Sequence, residues 1–317
     1  MNEPVNSGPV GGDPVNGNPV GGGPVGAGQV NGCLVDGEGD VMAGLDRFSL
    51  NQETIRQWSL PELADGCVAA GVRHVGLWRA PVQEYGVERA AKLMRSAGLS
   101  VSSLCRGGFL TAAAPAERAA ALDDNRAALD EAAALGTGTL VLVCGGLPEG
   151  DRDPAGARER IADAVAELLP HAEERGVRMA VEPLHPMFAS DRCVVSTLGQ
   201  ALGIAERFPA ERVGVVVDTY HLWWDDTVPA LIDRAGAAGR IAAFQLADWI
   251  TPLPEGVLLG RGQLGDGCVD LRGFRERVDA AGYRGPVEVE IFNPALWSRD
   301  GAEVLAETRE RYRRLVL

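Results

Sequence analysis

Residues 178–218 decide how this chain folds. They read Arg178-Met179-Ala180-Val181-Glu182, then, after a loop, Thr197-Leu198-Gly199-Gln200-Ala201-Leu202-Gly203-Ile204-Ala205-Glu206-Arg207-Phe208, then Val213-Gly214-Val215-Val216-Val217-Asp218. The two outer runs are short and apolar, the form of a strand buried on both faces. The middle run repeats apolar residues at three- and four-residue spacing, the form of a helix with one face against a core. Strand, helix, strand is the unit of a parallel sheet.

Working outward, the unit recurs along the chain. The pattern predicts strands at Arg47–Leu50, His74–Trp78, Val101–Cys105, Thr139–Cys144, Ile241–Leu246 and Pro286–Ile291, besides the two quoted. It predicts helices at Leu60–Ala70, Val87–Ser96, Ala116–Leu135, Ala155–Arg175, Val228–Arg234, Leu271–Ala281 and Ala302–Leu315. Gly71, Gly98, Gly136, Gly176 and Gly282 stand where helices must stop before the next strand. Eight strand–helix pairs predict a closed (β/α)8 TIM barrel spanning residues 45–317. An open doubly wound sheet would carry a Gly-rich phosphate loop after its first strand, and none follows Arg47–Leu50.

Residues 1–44 are of another material. Val recurs every five residues from Val5 to Val35, preceded by Pro in the first five repeats, with Gly, Asn and Asp between. Pro interrupts helix and ladder, Gly raises the entropy cost of order, and isolated Val residues build no core. The segment resembles an elastin-like pentapeptide repeat and is expected to be a disordered Pro/Val/Gly tail, either dispensable or a partner-binding arm.

The formal net charge of −14 and pI near 4.8 disfavour nucleic acid and anionic membrane as partners. The six cysteines are scattered without a C-x-x-C pair, and the start of the chain lacks the basic and apolar regions of an export signal. Cysteines used this way fit a reducing, cytoplasmic setting. The expected partner is a small molecule.

In such a barrel the chemistry gathers where the strands end. The second-half strands end Val181-Glu182, Val217-Asp218, Phe244-Gln245-Leu246-Ala247-Asp248-Trp249 and Val287-Glu288-Val289-Glu290. A single strand-end acid is commonly just a helix cap. Carboxylates converging from successive strands would repel and be driven to protonate unless a cation sat among them, and a divalent metal supplies one.

The motifs Val181-Glu182-Pro183-Leu184-His185-Pro186, Val217-Asp218-Thr219-Tyr220-His221-Leu222-Trp223-Trp224 and Glu288-Val289-Glu290-Ile291-Phe292 resemble the xylose-isomerase-like TIM-barrel superfamily of sugar isomerases and epimerases. The likeness is strongest to its bacterial sugar phosphate isomerase/epimerase branch and covers residues 46–317. It implies that Glu182, Asp218, the polar residue of strand seven and Glu290 are metal ligands, with His221 touching substrate oxygens. It also implies a dimer or tetramer. Strand seven normally offers a histidine, and here the aligned residue is Gln245. Three carboxylates and an amide oxygen form a hard donor set, which favours Mn2+ or Mg2+ over Zn2+.

A metal in that place acidifies a C–H beside a carbonyl, and Glu182 and Glu290 are the carboxylates to carry protons on either side of an enediolate. Proton return gives isomerisation or epimerisation of a keto-sugar, keto-polyol or related derivative. Loss of a β-substituent gives instead a dehydratase or lyase acting on an inosose or 3-keto-glycoside. A sugar-binding or scaffold barrel without catalysis is the reading of another class. Further candidate substrate contacts are His185, Trp249 with Trp223 and Trp224 as an apolar wall, and Arg261. The last opens a Gly-rich loop, Arg261–Gly267, that is either an anion cradle or a plain turn. Arg79 and Arg106, ending strands two and three, are either anion contacts or partners of nearby acids. Cys105 and Cys144 read as buried small residues.

Overall fold

The computed structural model describes residues 45–317, so the expectation for the repeat tail lies outside the described residues. Eight parallel strands close a barrel. They are β1 (Phe48–Asn51), β2 (His74–Trp78), β3 (Ser100–Gly108), β4 (Thr139–Val143), β5 (Arg178–Glu182), β6 (Val213–Asp218), β7 (Ile241–Leu246) and, after the two-residue strands β8 (Asp248–Trp249) and β9 (Arg261–Gly262), β10 (Val287–Val289). Around the barrel the order is β1, β10, β7, β6, β5, β4, β3, β2, with β10 pairing back to β1. The predicted (β/α)8 architecture is therefore the observed one.

The outer helices begin and end as their sequences dictate. Ser59 and Glu62 form a reciprocal capping box at the helix Leu60–Ala69. Asp153 caps Pro154–Arg175, and left-handed Gly136 and Gly176 end the two longest helices. Outward-facing strand residues such as Leu50, Leu77, Leu104, Leu140, Val215 and Phe244 pack against these helices. Each such side chain, when fully buried, contributes roughly 1.5–3 kcal/mol.

The barrel interior is divided. Cys105, Val141, Ala180, Val216 and Ala243 form a small apolar cluster inside it. Ser49, Asn51, Ser103, Gln245 and Glu288 are just as buried but polar. That polar half lies directly beneath the candidate site. Among the elements that escape the sequence pattern are the helix Arg79–Tyr85 and the antiparallel pair β8–β9 folded over the barrel mouth. Both are too short to show a period. No helix among the described residues is long and apolar enough to cross a membrane.

Candidate functional site

Glu182 and Asp218 are the last residues of β5 and β6, and Glu290 directly follows β10. Alternation along each strand turns these side chains inward. All three are almost fully buried, at 4%, 0% and 3% exposure. The cation among them is Arg261, carried in by β9. Its Nη1 donates to Glu290 Oε2 at 3.0 Å and to the Glu290 carbonyl at 3.1 Å, and lies 3.6 Å from Asp218 Oδ2. The guanidinium is held between the rings of Tyr220 and Phe292, 4.8 and 4.7 Å from their centres.

Were all three carboxylates ionised, the single guanidinium would leave two negative charges uncompensated. The consequence is visible in the acids themselves. Burial, followed by repulsion from Glu290 and Asp218, holds Glu182 well above the usual carboxylate range. Burial outweighs Arg261 to push Glu290 up to about 8 and Asp218 up to about 6. Asp218 Oδ2 is buried without a hydrogen-bond donor. Oxygen atoms from Glu182 and Asp218 and a ring nitrogen of His221 all lie within 4.8 Å of one another, close enough to share one metal ion. A charge deficit of two and an orphaned carboxylate oxygen suit a divalent cation.

His221 is itself a doubtful ligand for such an ion. The backbone N–H of His185 donates to its Nδ1 at 3.1 Å, while Arg261 Nη2 stands 3.3 Å from Nε2. Burial, with Arg261 adding to it, holds this imidazole neutral, well below the usual histidine range. A neutral ring accepts at one nitrogen only. With Nδ1 accepting from the backbone, Nε2 carries the proton and faces Arg261 Nη2, which can also only donate, so the two donors suit an acceptor atom placed between them. That suits a substrate oxygen better than a metal.

Gln245 sits between Asp218 and Glu288 in register. Its Nε2 donates to Glu288 Oε1 at 3.0 Å, which leaves Oε1 buried without a donor. Glu288 in turn accepts from Asn51 at 2.7 Å, Ser102 at 2.6 Å and Ser103 at 2.9 Å. Gly76 makes the room, because any Cβ there would collide with the Glu288 carboxylate. This buried carboxylate orients the Gln245 amide with its oxygen, the ligand-type atom, left over. Sequence reasoning placed Glu288 on the strand but gave it no part. The signal was there: a second acid at the inward spacing from Glu290.

The site opens into a cavity of about 890 Å³ whose walls include Trp58, Trp78, Tyr85, Arg106 and Phe292. His185 and Trp249, expected at the substrate, are not among its lining residues. Their rings stack on each other at 4.6 Å, and Trp249 also packs on Tyr220 and Trp223. His185 meets Trp224 edge-on. The aromatic wall proposed for Trp223, Trp224 and Trp249 is thus packing behind the site, and the tryptophans facing the cavity are Trp58 and Trp78.

The loop Arg261–Gly267 is no phosphate cradle. Asp248 accepts from the N–H groups of Gly265, Gly267 and Val269 at 2.9–3.0 Å, so these amides are taken. The acid that ends the β7 segment in sequence has turned away from the barrel axis to build this loop. Arg79 is likewise a structural residue, bound to Glu131 at 2.7 Å and Asp124 at 2.9 Å. Cys105 and Cys144 are buried and unpaired, and burial pushes the Cys105 thiol well up, away from thiolate chemistry.

Residues 64–308 match the family model described as xylose isomerase-like TIM barrel. Among curated proteins, 3-dehydroshikimate dehydratase of Pseudomonas aeruginosa is 34% identical over 165 residues, 50% of this chain and 24% of that protein. Inosose isomerase of Halalkalibacterium halodurans is 26% identical over 151 residues, 47% of this chain and 51% of that protein. The chain thus spans about half, or less, of the length of these curated relatives. Among solved structures, protein SMc04130 of Sinorhizobium meliloti is 44% identical with a TM-score of 0.83, over 86% of this chain and 99% of that one. The IOLI protein, solved with a zinc atom, shares the fold at 20% identity and a TM-score of 0.74, over 85% of this chain and 98% of that one. With its barrel, its strand-end acids and a family match over most of its length, the chain belongs to the xylose isomerase-like TIM barrel family.

Proposed function

We propose that this chain is a divalent-metal-dependent isomerase or epimerase of a keto-sugar, keto-polyol or related sugar derivative. The observation that carries the reading is the charge balance of the barrel floor: three buried strand-end carboxylates share one guanidinium, so that all three ionise only if a further cation joins them. Glu182, Asp218, Glu290 and the free oxygen of Gln245 are the residues to hold the metal. When bound, it polarises a carbonyl and its neighbouring hydroxyl and so acidifies the intervening C–H.

The chain's own groups supply the rest. Glu182 and Glu290 reach the cavity from strands three places apart in the barrel, so one carboxylate removes the proton and the other returns it. His221 donates through Nε2 to a substrate oxygen, and the Arg261 guanidinium steadies developing negative charge. Likeness to an inosose isomerase supports this chemistry. The hard donor set favours Mn2+ or Mg2+, although the IOLI protein carries zinc.

A second reading has its own support, since the dehydratase is the more similar of the two curated relatives at 34%. Abstraction of the same proton followed by departure of a β-hydroxyl would give a dehydratase on the same residues.

Elemental analysis of the purified protein, beside Glu290→Gln, is the deciding experiment. About one Mn2+ or Mg2+ per chain, diminished in the variant, is expected, together with exchange of substrate C–H for solvent deuterium without loss of water. Absence of metal even after incubation with Mn2+ would sink the reading. Exchange accompanied by loss of water would select the dehydratase, and turnover supported by zinc alone would overturn the metal assignment.

A further inference from the structure

The cavity holds a second cationic feature, away from the acidic floor. Arg106, in β3, and Arg192, in the loop after β5, both line it. Arg106 is half-buried and makes no ion pair among the described residues; its guanidinium lies over the Phe109 ring at 4.1 Å. Arg192 has only its exposed chain neighbour Asp191, at 3.8 Å. Burial disfavours the protonated form of Arg106, and the charge of Arg192 adds to this while that of Asp124 opposes it. Both guanidinium groups thus line one cavity, and neither forms an ion pair with a buried acid among the described residues.

The backbone makes this placement rigid. Phe109 N–H donates to the Val143 carbonyl and Leu110 N–H to that of Cys144, which fixes the segment after Arg106 on the end of β4. Gly145 N–H donates to the Arg192 carbonyl at 2.9 Å, and Val194 N–H returns a bond to Gly145, which fixes the other loop to the same strand end. Both anchors use main-chain atoms only, so neither guanidinium is spent on holding its own loop. Arg79 shows the alternative in the same region: an arginine of structural purpose is given two acids.

We propose that the substrate carries an oxyanion, a carboxylate or a phosphate, which Arg106 and Arg192 grip at the β3–β4 side while the reacting carbon lies on the acidic floor. Guanidinium groups match either anion with paired N–H donors, and the cavity is large enough to separate the two ends. The location of the reacting end rests on the function proposed above, but the grip on the anion is measurable without turnover.

The test is calorimetric titration of the full chain, metal-loaded, with matched pairs: D-fructose 6-phosphate against D-fructose, and 3-dehydroshikimate against its methyl ester. One of the anions is expected to bind at least about tenfold more tightly than its neutral partner, and the pair that shows it names the anion. Arg106→Gln and Arg192→Gln are each expected to erase most of that preference and to leave binding of the neutral ligand unchanged. Arg106→Lys keeps the charge and should retain part of it, which guards against a fold defect. Equal binding within both pairs, no binding of either anion, or a preference that survives both Gln variants overturns the proposal. Metal content and solvent exchange are read separately, so failure of the isomerase reading leaves this outcome interpretable.

Discussion

Strands β5 and β6 end in Glu182 and Asp218, and β10 runs into Glu290, all buried and sharing the single guanidinium of Arg261. On the other side of the barrel, β2 ends in Trp78, β3 carries Cys105 and Arg106, and β4 runs into Cys144. One half of the rim has an excess of anionic groups and the other, at Arg106 and Arg192, an excess of cationic ones. The same scaffold positions both, since each group stands at or just beyond the end of a barrel strand. On the function and the anion grip proposed above, the difference amounts to a division of labour: the second half would serve proton transfer around a cation, and the first would hold what the second half acts on.

The strongest way to break that comparison is to neutralise the acidic half. Glu182→Gln keeps the shape of the side chain but removes a proton carrier. Deuterium exchange into substrate is expected to fall by about 10²–10⁴, the range spanned by general acid–base groups. Thermal stability should hold or rise, because a buried like charge has gone. Exchange within a few-fold of wild type would remove Glu182 from the chemistry.

Next in size is the support of the Gln245 amide. Glu288→Leu takes away the acceptor that fixes the amide, and metal affinity is expected to drop by about 10–100-fold, the usual cost of a lost orienting partner. In a Gln245→Ala background the same change should have no further effect on affinity. Gln245→His is expected to bind zinc more tightly than wild type, with Glu288 accepting the second ring N–H. An unchanged metal isotherm for Glu288→Leu would mean that Gln245 does not coordinate.

How much of this was legible beforehand divides along the same line. The barrel was readable because each strand and helix repeats its own period, and the predicted bounds of β2, β5, β6 and β7 coincide with those observed. Glu182, Asp218 and Glu290 were readable because a strand end is a local feature. Arg261 was named only as an anion contact. Its place as counter-ion to Glu290 comes from the β8–β9 fold-over, which leaves no periodic trace in two-residue strands. Trp249 and His185 were misplaced for a related reason: proximity to a strand end in sequence does not say whether a side chain turns inward or stacks behind.

A smaller effect concerns pH. In metal-free protein, the raised values of Glu290 (about 8) and Asp218 (about 6) mean that the folded state holds protons that the unfolded chain releases near its ordinary carboxylate range. That contribution is full below the unfolded values and is lost as pH rises through the folded ones. The melting temperature of chelator-treated protein is therefore expected to fall by roughly 3–8 °C between pH 6 and 8.5. Saturating Mn2+ should flatten the slope, since a dication supplies the missing charge. A flat profile without metal would mean that the floor tolerates its negative charges unaided.

The smallest effect tests the cationic half against its own neighbour. Arg79 and Arg106 both stand at first-half strand ends, but Arg79 is tied to Glu131 and Asp124 whereas Arg106 forms no ion pair among the described residues. Glu131 is nearly as buried as Arg79, at 12% against 11% side-chain exposure, so Arg79→Met strands a carboxylate in a poor environment. It is expected to cost about 1–2 kcal/mol in urea unfolding, between the values for exposed and fully buried pairs. Arg106→Met should change stability by less than about 0.5 kcal/mol, because what it loses in cation–π contact is offset by relief from Arg192. If the two substitutions cost the same, Arg106 serves the fold as Arg79 does, and the first half of the rim loses its claim to be a binding surface.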